Sequence, residues 1–194
     1  MRPSSFYVAQ IVGGEDLSHP NGSCPEAIDL VEYNPTPALQ HGPLIELSNT
    51  KKGFSTIESI SIVVDSLEPA PSTGTIVGCA AGGQGAEAIF TLWATLDSDG
   101  NLQQDLLSEM GDVMSSRSLV LAEGESNLVK VRLNVHLSNM IVRWHVLVRA
   151  RSSAGESYEI SIFDSDGDSF VLVDDSTLPS VLWSPESEVW GVRI

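Results

Sequence analysis

Five of the ten Lys and Arg residues of this chain, Lys130, Arg132, Arg143, Arg149 and Arg151, fall in a stretch without Asp or Glu between Glu125 and Glu156. His136 and His145 lie in the same stretch and add charge when protonated near or somewhat below neutral pH. Spaced cations of this kind contact phosphate oxygens without reading bases. They equally suit the acidic surface of another subunit or the acidic C-terminal third of their own chain. Pairing with such acids is the favoured expectation, ahead of nucleic acid and of simple solvation.

Carboxylates offer a second chemistry. Asp97-Ser98-Asp99-Gly100-Asn101 and Asp164-Ser165-Asp166-Gly167-Asp168 are near copies. Clustered carboxylates are the right ligands for a hard cation, which makes Asp97, Asp99, Asp164, Asp166 and Asp168 weak calcium candidates. Neither copy has the twelve-residue spacing or the closing Glu of an EF-hand, and Asp and Gly favour β-turns unaided. Ordinary turns are the favoured expectation, and no other cofactor is expected. Asp174-Asp175 is a weaker candidate still.

Catalytic patterns do not emerge. No GxSxG, HExxH, P-loop or dinucleotide fingerprint occurs, Gly82, Gly83 and Gly85 read as a loop, and the histidines at 19, 41, 136 and 145 form no metal spacing. The chain is therefore not expected to be an enzyme. Cys24 and Cys79 are too few for a disulfide scaffold and lack zinc-site spacing. Two free thiols are expected, with a single disulfide as the alternative. Asn21-Gly22-Ser23 matches a glycosylation acceptor but is expected to be an ordinary turn.

The bulk properties bound the class. A chain of 194 residues with 42% hydrophobic content can bury a full core. Its formal charge of -16 disfavours nonspecific attraction to nucleic acid or anionic membrane. The opening MRPSSFYVAQIVGG lacks the apolar run of a signal peptide, and no run of about 18 apolar residues could span a bilayer. A soluble, non-secreted chain without a membrane partner is the expectation.

The elements that must position these groups read as strands. Val129, Val131, Leu133, Val135 and Leu137 alternate with Lys130, Arg132, Asn134 and His136, and the pattern repeats from Ile141 to Arg149. The short Ser138-Asn139 link predicts an antiparallel hairpin with all the cations on one surface. Ile57 to Val64 and Thr75 to Ala81 predict a second antiparallel pair around the break from Ser66 to Gly74. Phe6 to Val12, Leu44 to Leu47, Ala88 to Leu96, Ser118 to Leu121, Tyr158 to Phe163, Phe170 to Val173 and the final Trp190-containing run supply further strands. Tyr158–Phe163 and Ser169–Val173 read as a hairpin. Leu102, Leu106, Leu107, Met110 and Val113 repeat at helical spacing after possible caps at Asp99 or Asn101, which predicts one short helix. Seven residues that break regular structure, five of them prolines, lie between Pro20 and Pro43, which makes residues 1–43 an extended N-terminal arm with loops. Residues 44–194 then form a single all-β sandwich or barrel.

The stretch ISIVVDSLEPAPSTGTIVGC carries a resemblance: Ile60, Ile62 and Val64, then Pro69, Pro71, Ser72, Thr73 and Gly74, then the strand Thr75 to Cys79. It resembles a segment common in coat proteins of small icosahedral RNA viruses, especially plant viruses. The resemblance implies a jelly-roll β-sandwich that self-assembles as a homo-oligomer into a shell around the genome. It further implies a place in the virion, with host cytoplasm during assembly, and genomic RNA as a possible partner. The basic N-terminal arm of many such proteins has no counterpart here beyond Arg2. Two other readings stand beside it. One is a carbohydrate-binding β-sandwich using Trp93, Trp183 or Trp190 as a stacking residue. The other is a dimeric projecting spike domain.

Overall fold

The alternating runs become strands, but their partners differ from those that chain order suggests. The computed structural model describes residues 5–20, 24–37, 43–70, 72–79, 90–108, 111–114, 119–137, 140–164, 166–173 and 178–193. In chain order these form β1 (Ser5–Val8), β2 (Thr36–Pro37), β3 (Leu44–Ser48), β4 (Phe54–Pro69), β5 (Thr75–Cys79), β6 (Phe90–Leu96) and β7 (Leu102–Ser108). There follow β8 (Val120–Ala122), β9 (Ser126–Val135), β10 (Met140–Ser152), β11 (Ser157–Ile162), β12 (Phe170–Val173), β13 (Ser180–Ser184) and β14 (Val189–Arg193). The described helices are 3-10 turns at Gly14–Asp16 and Ala27–Tyr33. None of the described helices is long and apolar enough to cross a membrane.

The strands make three sheets in an all-β, sandwich-like arrangement. The first runs β11-β10-β4-β8, with β12 paired to β10 beyond β11. The second runs β3-β9-β6-β7, and the third β14-β13-β5-β1-β2. Between the first two lies the main core. Leu92, Ala94 and Leu96 of β6 and Val129, Val131 and Leu133 of β9 pack with Ile60 and Ile62 of β4 and Val142, Trp144, Val146 and Val148 of β10. Each fully buried Val, Leu or Ile side chain here contributes roughly 1.5–3 kcal/mol. Trp144 is the largest of the fully buried side chains and tilts against Phe170 at 4.8 Å between ring centres. At the rim, Gln104 Oε1 of β7 accepts a hydrogen bond from Ile62 N of β4 at 2.7 Å, a side chain tying one layer to the backbone of the other.

The middle of the third sheet, around β1, β5 and β13, has both faces covered. Phe6 and Val8 of β1 join Val12, Leu17, Leu30, Val77 and Val181 on one side. Tyr7 and Ile76 join Val171, Val173 and Leu178 on the other, where the sheet meets β12. All four residues of β1 are buried, which explains an apolar run without alternation.

Several expectations are corrected. Of residues 1–43, expected as an extended arm with loops, the described stretches 5–20 and 24–37 fold onto their own chain: β1 lies between β5 and β2, held by apolar burial on both faces. The helix expected from Leu102 is strand β7, because the turn at Asp97–Asn101 folds it back onto β6 with Leu102 opposite Leu96. Strands β4 and β5 are not a hairpin; β4 pairs β10 and β8, whereas β5 pairs β1 and, in parallel, β13. The β11 and β12 segments both pair β10 and not each other. The two thiols are not free: Cys24 and Cys79 form a disulfide between the segment before the second 3-10 turn and the end of β5. The acceptor motif at 21–23, the turn at Ser138-Asn139, the glycines at 82, 83 and 85, His41, Pro71 and Asp174-Asp175 lie outside the described residues.

Candidate functional surfaces

The predicted cationic surface is divided between the two outer faces of the sandwich. Strands β9 and β10 belong to different sheets, so Lys130 and Arg132 lie in one sheet, with His136 just past its β9 end, and Arg143, His145, Arg149 and Arg151 lie in the other. The expected hairpin fails because the chain crosses from one layer to the other between Val135 and Met140, burying the apolar side of each strand against the other sheet.

On β10, each of the predicted residues meets an acid of its own chain. Arg143 Nε lies 3.1 Å from Glu68 Oε1, and His145 Nδ1 lies 2.8 Å from Asp65 Oδ1. Arg149 Nε is 2.8 Å from Glu159 Oε2, and Arg151 Nε is 2.8 Å from Glu58 Oε1. The acids come from β4 on one side of β10 and β11 on the other, both antiparallel neighbours that bring their outward residues beside the cations. Hydrogen bonds from the Ser66 hydroxyl and the Arg143 guanidinium hold the Glu68 carboxyl below the usual carboxylate range. The intramolecular partners were legible only as a surplus of acid elsewhere in the sequence, since strand register decides which acid meets which base.

The outer face of the second sheet is different. Trp93 on β6 is paired in register with Arg132 on β9 and Asp105 on β7. Leu92 and Ala94 point into the core, which turns Trp93 outward with 37% of its surface exposed. The Arg132 guanidinium carbon lies 5.5 Å from the Trp93 ring centre, near the outer limit of about 6 Å for a cation–π contact. Lys130 is half-buried on the same face beside Thr91, and His136 is exposed past the end of β9, its backbone N–H bonded to Leu96 O.

The two acidic turns share one geometry. Asp97 Oδ1 accepts the backbone N–H groups of Asp99 at 2.9 Å and Asn101 at 2.8 Å. Asp164 Oδ1 likewise accepts those of Asp166 at 2.9 Å and Asp168 at 3.0 Å. The hydrogen bonds from Asn101 hold the Asp97 carboxyl below its usual range. The leading carboxylate of each turn thus supports its own loop. Among the described residues no three His, Cys, Asp or Glu side chains gather as a metal-holding group.

Trp183 and Trp190 form an edge-to-face pair at 5.3 Å, with His19 edge-on to Trp183 at 5.0 Å. Trp183 is buried, and Trp190 Nε1 donates to Ser18 O at 3.2 Å. These two indoles fasten the 3-10 region to β13 and β14, leaving Trp93 as the exposed tryptophan among the described residues. No family model, curated protein or solved structure matches the chain.

Proposed function

We propose that the protein is a noncatalytic shell-forming subunit of the viral-coat kind, with the first and second sheets as the two layers of a jelly roll and the third as an elaboration. The observation that carries this reading is a set of exposed apolar side chains on edge strands, beside the more exposed Ile11, Val31 and Val113 that lie outside the strands. Val189 and Val192 lie on β14, Ile160 on β11 and Val120 on β8, the outermost strands of their sheets, each between 49% and 53% exposed. Apolar groups on sheet edges favour association with another chain, and repeated association through such rims builds closed assemblies.

Assembly in this reading is driven by protein contacts. The β10 arginines are occupied by Glu68, Glu159 and Glu58, and the chain carries a net charge of -16, so RNA neutralisation is a small part of it. Like-charged subunits repel, and added salt or calcium strengthens assembly by screening. The disulfide suits an oxidising setting such as a particle exterior. Negative-stain microscopy with sedimentation tests the proposal: uniform closed particles support it, and a persistent monomer across salt, pH and calcium conditions overturns it. A stable dimer without larger assembly selects the projecting spike reading.

A further inference from the structure

We infer that the outer face of the second sheet is a binding platform for a neutral carbohydrate chain, with a pyranose ring stacked on Trp93. This goes beyond shell formation and does not depend on it. The contrast between the two outer faces carries the argument. On the first sheet the cations are matched to acids, so that face is satisfied within the chain. On the second, Gln103, Asp105 and Asn134 are exposed and their side chains have no hydrogen-bond partner among the described residues. Arg132 has no ion-pair partner there either, and leans toward the indole.

Register places these groups around one point. Asp105 flanks Trp93 on β7 and Arg132 flanks it on β9; one step along the same face, Thr95 is flanked by Gln103 and Asn134. An exposed indole surrounded by donors and acceptors on a sheet face matches a sugar, whose ring presents C–H groups above and below and hydroxyls around its edge. The sugar's C–H face packs against the part of the indole that Arg132 leaves open, and the carboxylate, amides and guanidinium meet the hydroxyls.

Charge selects the class of sugar. Lys130 and Arg132 on this face are balanced by Glu46 and Asp105, both exposed on the neighbouring strands β3 and β7. A locally balanced face on a chain of charge -16 favours a neutral glycan over an acidic one or a nucleic acid.

The test is electrophoresis of the full chain through native gels containing hydroxyethylcellulose, xylan, galactomannan or laminarin, with calorimetry on any polysaccharide that retards it. At least one of the four retards the wild type. Trp93→Ala weakens that binding by about tenfold or more, as expected for an aromatic anchor. Asp105→Ala and Asn134→Ala weaken it by smaller factors, and Arg149→Ala on the opposite face leaves it unchanged. Near-UV circular dichroism checks that Trp93→Ala is folded; if it is not, the exposed Asp105 and Asn134 variants carry the test. Absence of retardation by all four polysaccharides overturns the proposal. So does retardation that none of the three variants changes, or binding of oligo(dT) without binding of any glycan.

Discussion

Asp65 holds His145 and Ser169 together: its Oδ1 lies 2.8 Å from His145 Nδ1, and its Oδ2 accepts from Ser169 Oγ at 2.6 Å. The His145 ring also stacks on Phe163 at 5.0 Å. One carboxylate on β4 therefore joins β10 to the residues leading into β12. Asp65→Ala is expected to cost about 1 kcal/mol, since both hydrogen bonds are lost at a partly exposed site. Asp65→Asn, which keeps an acceptor, costs less. Urea midpoints at constant slope measure the difference, and equal losses in the two variants contradict this role.

The pairing of the β10 arginines predicts a gain of function. Glu58→Gln, Glu68→Gln and Glu159→Gln together free Arg151, Arg143 and Arg149. The triple variant is expected to elute from heparin at higher salt than the wild type, with a steeper salt dependence. Unchanged elution means that these acids do not mask the cations.

Glu68 gives a pH dependence whose sign is set. Its folded carboxyl titrates below its usual range because of Ser66 and Arg143. The folded state therefore takes up this proton less readily than the unfolded state, and the associated stability is present above the unfolded pKa and lost as pH falls through the folded one. Ser66→Ala and Arg143→Met are each expected to raise the Glu68 midpoint in a carbon-detected NMR titration. A midpoint unmoved by both assigns the shift to some other group.

Reduction of Cys24–Cys79 removes a cross-link spanning 55 residues. A loss of roughly 2–4 kcal/mol is expected on treatment with a phosphine reductant, read as a lower denaturant midpoint. Alkylation of both cysteines in unreduced, denatured protein would contradict the pairing.

Gly74 accounts physically for one residue of the motif that suggested a coat protein. Its φ is +137°, and a Cβ there would lie 2.5 Å from Tyr7 Cε2 and 2.6 Å from Val8 O. Tyr7 in turn donates its hydroxyl to Thr73 O at 2.9 Å, fastening the turn to β1. Gly74→Ala is expected to cost more than about 1 kcal/mol. A variant as stable as the wild type would show that β1 yields.

Strand identity was legible wherever one face is buried and the other wet: Val129, Val131 and Leu133 against Lys130, Arg132 and Asn134 admit one period. Strand partnership was not. A short link such as that between Val135 and Met140 joins neighbours in a hairpin or crosses between layers, and local sequence is the same in both cases. At Leu102–Ser108 the apolar spacing fits a helix, yet pairing with β6 along seven residues outweighs that local preference. Ion-pair partners and the Trp93 platform depend on register between strands far apart in sequence. Composition supplied the residues but not their meeting.

The parallel pairing of β5 with β13 has a consequence for biosynthesis. Strand β5 leaves the ribosome long before β13 has been translated, and β1 waits beside it. The third sheet is therefore the last part of the molecule to be completed, while Cys24 and Cys79 are both available early enough to fasten its first half. A nascent chain halted before Ser180 leaves one side of β5 without its native neighbour, an open edge at which mispairing can begin and a chaperone would act.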